Sequence, residues 1–587
     1  MNTVTDDAKN LDAQDSADLD AHDPADLDAH DPADLDAHDP AGPEPTTPAK
    51  FQPTARFWAI IATLCTIGLL SSLENSVVTT ALPRIVTELS LGEDYIWVTN
   101  SFFLTAWVPP PLSRAQAAVQ PLIGQLANLF GRRWVTMVIV ACFTLGSGIA
   151  GGATNEAMLI AGRSIQGVGA GGINILVDII VSDLVPLRER GNYIAVVLLV
   201  YTIGISLGPW VGGAIIDSTT WRWVFYINLP VGGVALVMIF LFLHVKHDRT
   251  QSVGQKLLRI DYIGNAVLVA STVSVLYALT YGGVRLPWSS GQVIAPLVVG
   301  LAGFVLFAWY ESTYAGEPVV PPELFRNRTS GVIFVATFLN SALLYWGIFF
   351  LPVYFQAVLG SSAARAGVQI LPSVLFAIPG AIVAVLLLSR YGRYKPIHSV
   401  AFAVNTLGLG LFTLFDADTS MAEWVIFQAI GATGSGLVLN TLLPAVQAQV
   451  EERHQAATTS AWSFTRSFGS IWGVAIPAAI FNNRFVHLLA EADIDPAVRQ
   501  LFDGNNHGYE NGHADFIWAI QPPEDRDKII GVYSEALKLI WQVAIAFAGT
   551  NLLITFLEKE IPLRTELETE FGMAEVKEEA NRTTKAV

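Results

Sequence analysis

The residues able to do chemistry in this chain sit inside apolar runs. Glu74 lies within SSLENSVVTTALP, in the middle of a long hydrophobic stretch. A carboxylate in hydrocarbon is costly, so its presence points to function, and binding and releasing a proton is the chemistry open to it. The plainer alternative is an acid near the membrane boundary, satisfied by water. Further on, LIAGRSIQGVGAGGINILVDIIVSD places Arg163, Gln166, Gly167, Asn174 and Asp178 close to one helical face. A charged and polar stripe is not stable against lipid, so it must face the interior of a bundle. Its glycines let a neighbouring helix come close. Structural pairing of Arg163 with a carbonyl or carboxylate is the other reading of that stripe.

Two glycine-rich stretches bear on movement rather than on proton binding. In GISLGPWVGG, Gly204, Gly208 and Gly212 recur every fourth residue and make a flat helix face, with Gly213 beside it. Pro209 removes a backbone donor and kinks that helix. In GQLANLFGRR, residues 124–133, one apolar run ends and another begins across a turn carrying Gly124, Asn128, Gly131, Arg132 and Arg133. Basic residues in short turns resist translocation and mark the cytoplasmic side. SRYGRYK, residues 389–395, is a faint echo of this turn in the second half of the chain.

The elements that must position these residues are membrane helices. The chain has 587 residues, 52% hydrophobic and only 14% charged, against about 25% charged in a soluble domain. Runs of about 20 apolar residues recur, and fourteen spans are read between residues 57 and 557. Each is a helix, because lipid leaves the backbone no other partner. The fold class is all-α and polytopic. The expected organisation is a cytoplasmic tail over 1–56, a bundle of six helices over 57–243, a linker with two extra helices over 244–329, a second bundle of six over 330–557, and a cytoplasmic tail over 558–587. Short inner turns carry more basic residues than outer ones, which puts both termini inside.

The net charge of −17 belongs mostly to the ends. Residues 1–56 hold fourteen acids against three bases, including three copies of Ala-Asp-Leu-Asp-Ala-His-Asp-Pro over 17–40. That composition cannot build a core and is read as a solvated, disordered acidic tail. Nucleic-acid binding is not expected. Cys65 and Cys142 both lie in apolar runs and imply neither a disulfide framework nor a metal site. There is no nucleophile with its base and no GxxxxGK[ST] phosphate loop, so no enzyme, no cofactor and no nucleotide-driven step is expected.

Taken together, the motifs are similar to those of the major facilitator superfamily. GQLANLFGRR resembles its loop motif, RSIQGVGAG its fourth-helix motif, and GISLGPWVGG the fifth-helix motif of its antiporters. The stretches 73–83 and 221–230 (WRWVFYINLP) resemble motifs of the fourteen-span drug:proton antiporters. The resemblance implies two six-helix bundles with two inserted central helices, and proton-coupled export of small organic molecules, drugs, toxins or secondary metabolites, by alternating access. Glu74, Arg163 and Asp178 would couple protons. The 124–133 motif would gate, and the 204–213 motif would let helices slide. Two departures stand out: Asn128 where the family has Asp, and Glu74 where it has a shorter acid. Gln166, Asn174, Tyr345, Trp346 and Trp462 are the candidates for a substrate cavity. The expected partners are a small molecule, protons and the bilayer, for a monomer in the plasma membrane. The alternatives are a vacuolar-membrane carrier of basic amino acids with the same fold, and a transport-dead nutrient sensor.

One stretch fits none of this. Residues 107–116, WVPPPLSRAQ, interrupt the second span with three consecutive prolines and Arg114. Prolines cannot continue a helix, and an arginine at mid-membrane costs about 3 kcal/mol or more. Without these ten residues the flanking pieces join into one apolar helix. A retained stretch of intron or a wrongly chosen splice acceptor explains the insertion, and a re-entrant break lining the cavity is the alternative.

Overall fold

In the computed structural model the described residues are 53–89, 115–245, 252–282, 286–314, 319–451, 454–502 and 514–563. The acidic repeats at 17–40, the end of the chain beyond 563 and residues 107–114 of the insertion lie outside them. Ala115 and Gln116 lie in a helix that runs to Phe130.

Among the described residues, fourteen helices of 15 residues or more follow one another. They are α1 (Ala55–Leu89), α2 (Ala115–Phe130), α3 (Arg132–Gly151), α4 (Glu156–Leu184), α5 (Arg190–Ser218), α6 (Asn228–Phe242), α7 (Tyr262–Tyr281), α8 (Gly291–Thr313), α9 (Arg328–Val353), α10 (Leu371–Tyr391), α11 (Lys395–Leu411), α12 (Met421–Leu439), α13 (Gln455–Glu491) and α14 (Pro523–Thr555). No strand occurs among the described residues. Eleven of the described helices are long and apolar enough to cross a membrane. Of the other three, α2 is described over 16 residues, and α5 runs 29 residues, opening with the apolar stretch Arg190–Gly204. Helix α13 carries Ser463, Thr465, Arg466 and Ser467 within its apolar part.

Helix ends run past the apolar stretches that announce them. Helix α1 continues to Leu89 rather than stopping near residue 82, and α13 extends to Glu491. Hydrophobic length measures the part that meets lipid, while a helix continues as long as its backbone bonds and packing hold. Local signals set the starts. Asn155 accepts from the Met158 backbone N–H at the head of α4. Ser420 and Glu423 form a reciprocal capping box on α12, which satisfies donors that the first turn leaves orphaned.

Packing sorts the helices into two groups. In the first, α1 lies on α5 and α6, and α3 on α4; in the second, α10 and α11 lie on α12, and α9 on α13. Helices α7 and α8 pair with each other, and α7 touches α2 and α13. The two groups meet through α2 with α13, α5 with α10, and α4 with α13.

Glycines set the closest approaches in both groups. A Cβ at Gly146 of α3 would stand 2.4 Å from the Gln166 backbone nitrogen of α4. At Gly408 of α11 it would stand 2.3 Å from the Gly431 Cα of α12. Close helix contact through small residues is how bundles in lipid gain packing, because burial from water is not available there to drive association.

Candidate functional site

Three places among the described residues hold the polar side chains singled out from the sequence. The first is a closed cluster around Glu74. Glu74 and Arg163 are both fully buried and form an ion pair between α1 and α4. Arg163 Nη1 also donates to Gln166 Oε1 at 2.8 Å, and Gln166 Nε2 donates to Ser147 Oγ at 2.6 Å. Asn228 Nδ2 donates to the second carboxylate oxygen of Glu74. The guanidinium lies 5.7 Å from the centre of the Phe225 ring. Phe225 and Asn228 both come from WRWVFYINLP, so that motif builds one wall of the acid's enclosure. Such a pair is held only where hydrogen bonds satisfy both partners, and removing one partner leaves an uncompensated buried charge.

The second place is a cavity of about 350 Å³ between the two groups of helices. Gln120, Asn174, Asp178 and Tyr201 line it from the first group; Asn340, Tyr345, Asn440, Trp462 and Arg466 line it from the second. Among the described residues of that lining, Asp178 is the one acid and Arg466 the one base. Arg466 also stands 4.7 Å over the Trp462 ring, one turn earlier on α13. Ser467 Oγ donates to Gln120 Oε1 at 3.2 Å and joins α13 to α2 beside the cavity. Apolar surface with a few convergent polar groups is the usual make-up of a small-molecule site.

The third place is the end of the bundle that carries the basic turns. Gly131 has φ 84°, a left-handed conformation that glycine adopts without steric cost, and it ends the break between α2 and α3. Arg132 Nε donates to Asp183 Oδ2 at 2.7 Å, and its Nη1 donates to the Ala127 carbonyl and to Asn128 Oδ1, both at 2.9 Å. Asn128 therefore contributes a neutral acceptor, and Asp183 of α4 supplies the carboxylate. Arg133 Nη2 donates to the Phe240 carbonyl at 2.6 Å and lies over that ring.

At the same end the two groups are bonded together. Arg188 donates to the Ser389 and Arg390 carbonyls, the negative end of the α10 dipole. Arg190 Nη1 donates to Gln447 Oε1 at 2.8 Å, and Gln447 Nε2 donates to Ser182 Oγ at 2.9 Å. Gly124 of α2 packs so tightly on α13 that a Cβ there would stand 1.8 Å from Ser460 Oγ. The echo turn at 389–395 thus receives Arg188 from the other group.

A model of the Major Facilitator Superfamily matches residues 64–474. The chain belongs to this superfamily. An MFS-type transporter, TwmF, of Talaromyces wortmannii is 51% identical over 518 residues, covering 88% of this chain and 92% of the relative. The MFS efflux transporter aclA of Aspergillus oryzae is 46% identical, covering 88% of this chain and 92% of the relative. The MFS-type efflux transporter ffsH of Aspergillus flavipes is also 46% identical, covering 89% and 88%. The protein is accordingly a multi-pass membrane transporter of small molecules and not an enzyme.

Within this superfamily fold, the residues singled out from sequence divide. Glu74 and Arg163 come together, with Gln166 in their cluster rather than in the cavity. Asn174, Asp178, Tyr345 and Trp462 line the cavity. Trp346 does not: it is fully buried in the second group's core, 5.7 Å from the Phe547 ring. Its neighbour Tyr345 takes the cavity side because adjacent helical residues point about 100° apart. Gly204 meets α1, where a Cβ would stand 2.0 Å from Ser72 Oγ, and Gly208 and Gly212 are buried. The side-chain surroundings of Pro209 and Gly213 lie outside the described set. Asn228, Arg466 and Asp183 were not flagged. The signal for Arg466 was present, since an arginine inside a span, in WSFTRSFGS, carries the same implication as Glu74.

Proposed function

We propose that the protein exports small, largely neutral organic molecules in exchange for protons, by alternating access between two six-helix bundles. The observation that carries the reading is the position of Glu74. The acid is closed off by Arg163 and Asn228, while Ser71 and Gly68, one and two turns earlier on α1, line the cavity. Proton binding at Glu74 weakens its pairing with Arg163, and α1 carries that change to the cavity wall. The bonds between the halves at the basic-turn end hold the cavity closed there. Opening that end requires Arg188, Gln447 and the Gly124–Ser460 contact to separate.

The same reading places the basic turns and both termini in the cytoplasm, and counts fourteen spans with α7 and α8 inserted between the bundles. It takes the chain to act as a monomer in the plasma membrane. The efflux function of aclA and ffsH supports export. The cavity supports neutral cargo over basic amino acids: Asp178, the one acid among its described lining residues, shares the lining with Arg466, which repels a cation. One proton moving through 100 mV supplies about 2.3 kcal/mol, and a tenfold substrate gradient costs about 1.4 kcal/mol, so one proton per neutral molecule suffices for a modest gradient.

The test is transport of a lipophilic fluorescent dye by the purified protein in liposomes. An imposed pH gradient should drive accumulation, and a protonophore should abolish it. Dye movement at the same rate with and without the gradient would refute proton coupling.

A further inference from the structure

The inserted helix pair carries two carboxyl groups that the transport mechanism does not use. Asp261 caps the start of α7, and Glu311 lies near the end of α8 and is only 5% exposed. One oxygen of each is satisfied. Asp261 Oδ1 accepts from the Gly264 backbone N–H at 2.8 Å and from the Tyr310 hydroxyl at 3.2 Å. Glu311 Oε2 accepts from the Val320 N–H at 3.2 Å. The remaining oxygens, Asp261 Oδ2 and Glu311 Oε1, are buried and have no donor. They point at the same spot: a Cβ on Gly264 would stand 2.1 Å from the first and 2.6 Å from the second. Among the described residues no lysine, arginine or histidine pairs with either carboxyl, and the one other titratable group facing them is Tyr310.

Two ionised carboxylates this close, out of water and without a cation, repel each other. Two acceptor oxygens attract only when a proton sits between them. We propose that Asp261 and Glu311 form a proton-binding site in the inserted helix pair, sharing one proton between Oδ2 and Oε1. The occupied pair holds α7 to α8 and, through Glu311, fixes the segment at Val320 that leads into α9. Helix α7 is tied to α2 by Asn265 Nδ2, which donates to Gln125 Oε1 at 3.2 Å. Phe304 of α8 packs on Phe464 and Phe468 of α13. The proton thus latches an element that touches both halves. This inference does not depend on how the carrier is energised.

The experiment is infrared spectroscopy of the purified full-length protein at neutral pH, comparing wild type with Glu311→Gln and Asp261→Asn. An amide at either position donates permanently to the remaining carboxylate and needs no shared proton. Either variant should lose the carbonyl stretch of about one protonated carboxylic acid. Unchanged acid bands in both variants would overturn the assignment. Thermal unfolding gives an independent reading: the wild-type midpoint should fall on going from neutral to alkaline pH, and the Glu311→Gln midpoint should fall less. Identical pH dependence in the two proteins would also overturn it.

Discussion

Gly124→Ala tests the closure between the two halves with one added methyl. The Cβ would stand 1.8 Å from Ser460 Oγ and 2.8 Å from Ser460 Cβ. Rotating the serine can move its hydroxyl, which now donates to the Ala456 carbonyl at 2.8 Å. Rotation cannot move its Cβ, so α2 and α13 must also shift apart. Overpacking of this kind costs about 1–3 kcal/mol. Because the contact joins the two halves, the cost falls on the state closed at the basic-turn end and is relieved when that end opens. At about 1.4 kcal/mol per tenfold, the closed state should lose population by roughly five- to 150-fold relative to the open one. Spin labels on cysteines at Trp134 and Tyr391, both exposed beside that end, would report the distance in a background without Cys65 and Cys142. Gly124→Ala should move the distribution to longer distances, and adding Ser460→Gly should restore it. An unchanged distribution in Gly124→Ala, or no restoration in the double variant, would refute the reasoning.

Three further outcomes follow from the same geometry. Glu74→Gln should destabilise the protein by about 3–5 kcal/mol, because Arg163 is left buried without its counter-charge, and Glu74→Gln with Arg163→Gln should recover most of that loss in thermal unfolding. Gly208→Leu should leave dye binding intact while stopping turnover, if the buried glycine face of α5 is where helices slide; normal turnover would show that this face only packs. Sequencing the mature transcript across residues 107–116 should show a dominant message lacking their codons, since three consecutive prolines cannot continue a helix and Arg114 would sit at mid-membrane; a dominant message containing them would show that the stretch is native.

The described helices were legible because apolar runs of membrane length leave the backbone one solution, and some of their ends run beyond the apolar run, as at Leu89 and Glu491. Glu74 and Arg163 each stood out as charges in hydrocarbon. That they pair was not legible, because residues 89 positions apart meet only through the packing of α1 on α4. Asn228 was hidden in a motif that looked apolar, and nothing local distinguishes an asparagine aimed at a carboxylate from one at a helix start. Asp183 and Asn128 show how a substitution is absorbed: Arg132 keeps its carboxylate on α4 and takes a neutral acceptor within its own turn. Tyr345 and Trp346 are adjacent in sequence and point about 100° apart on the helix, and composition cannot say which of the two sees the cavity.

Glu74 is proposed as the group that exchanges protons for cargo. The direct measurement is dye export by the full-length protein in liposomes under a fixed pH gradient, comparing wild type, Glu74→Asp, and the charge-neutral Glu74→Gln with Arg163→Gln. The account predicts that Glu74→Asp retains gradient-driven export and that the double variant, folded by thermal unfolding and still binding dye, shows none above the protonophore-treated control. Gradient-driven export at the wild-type rate in the double variant would contradict it.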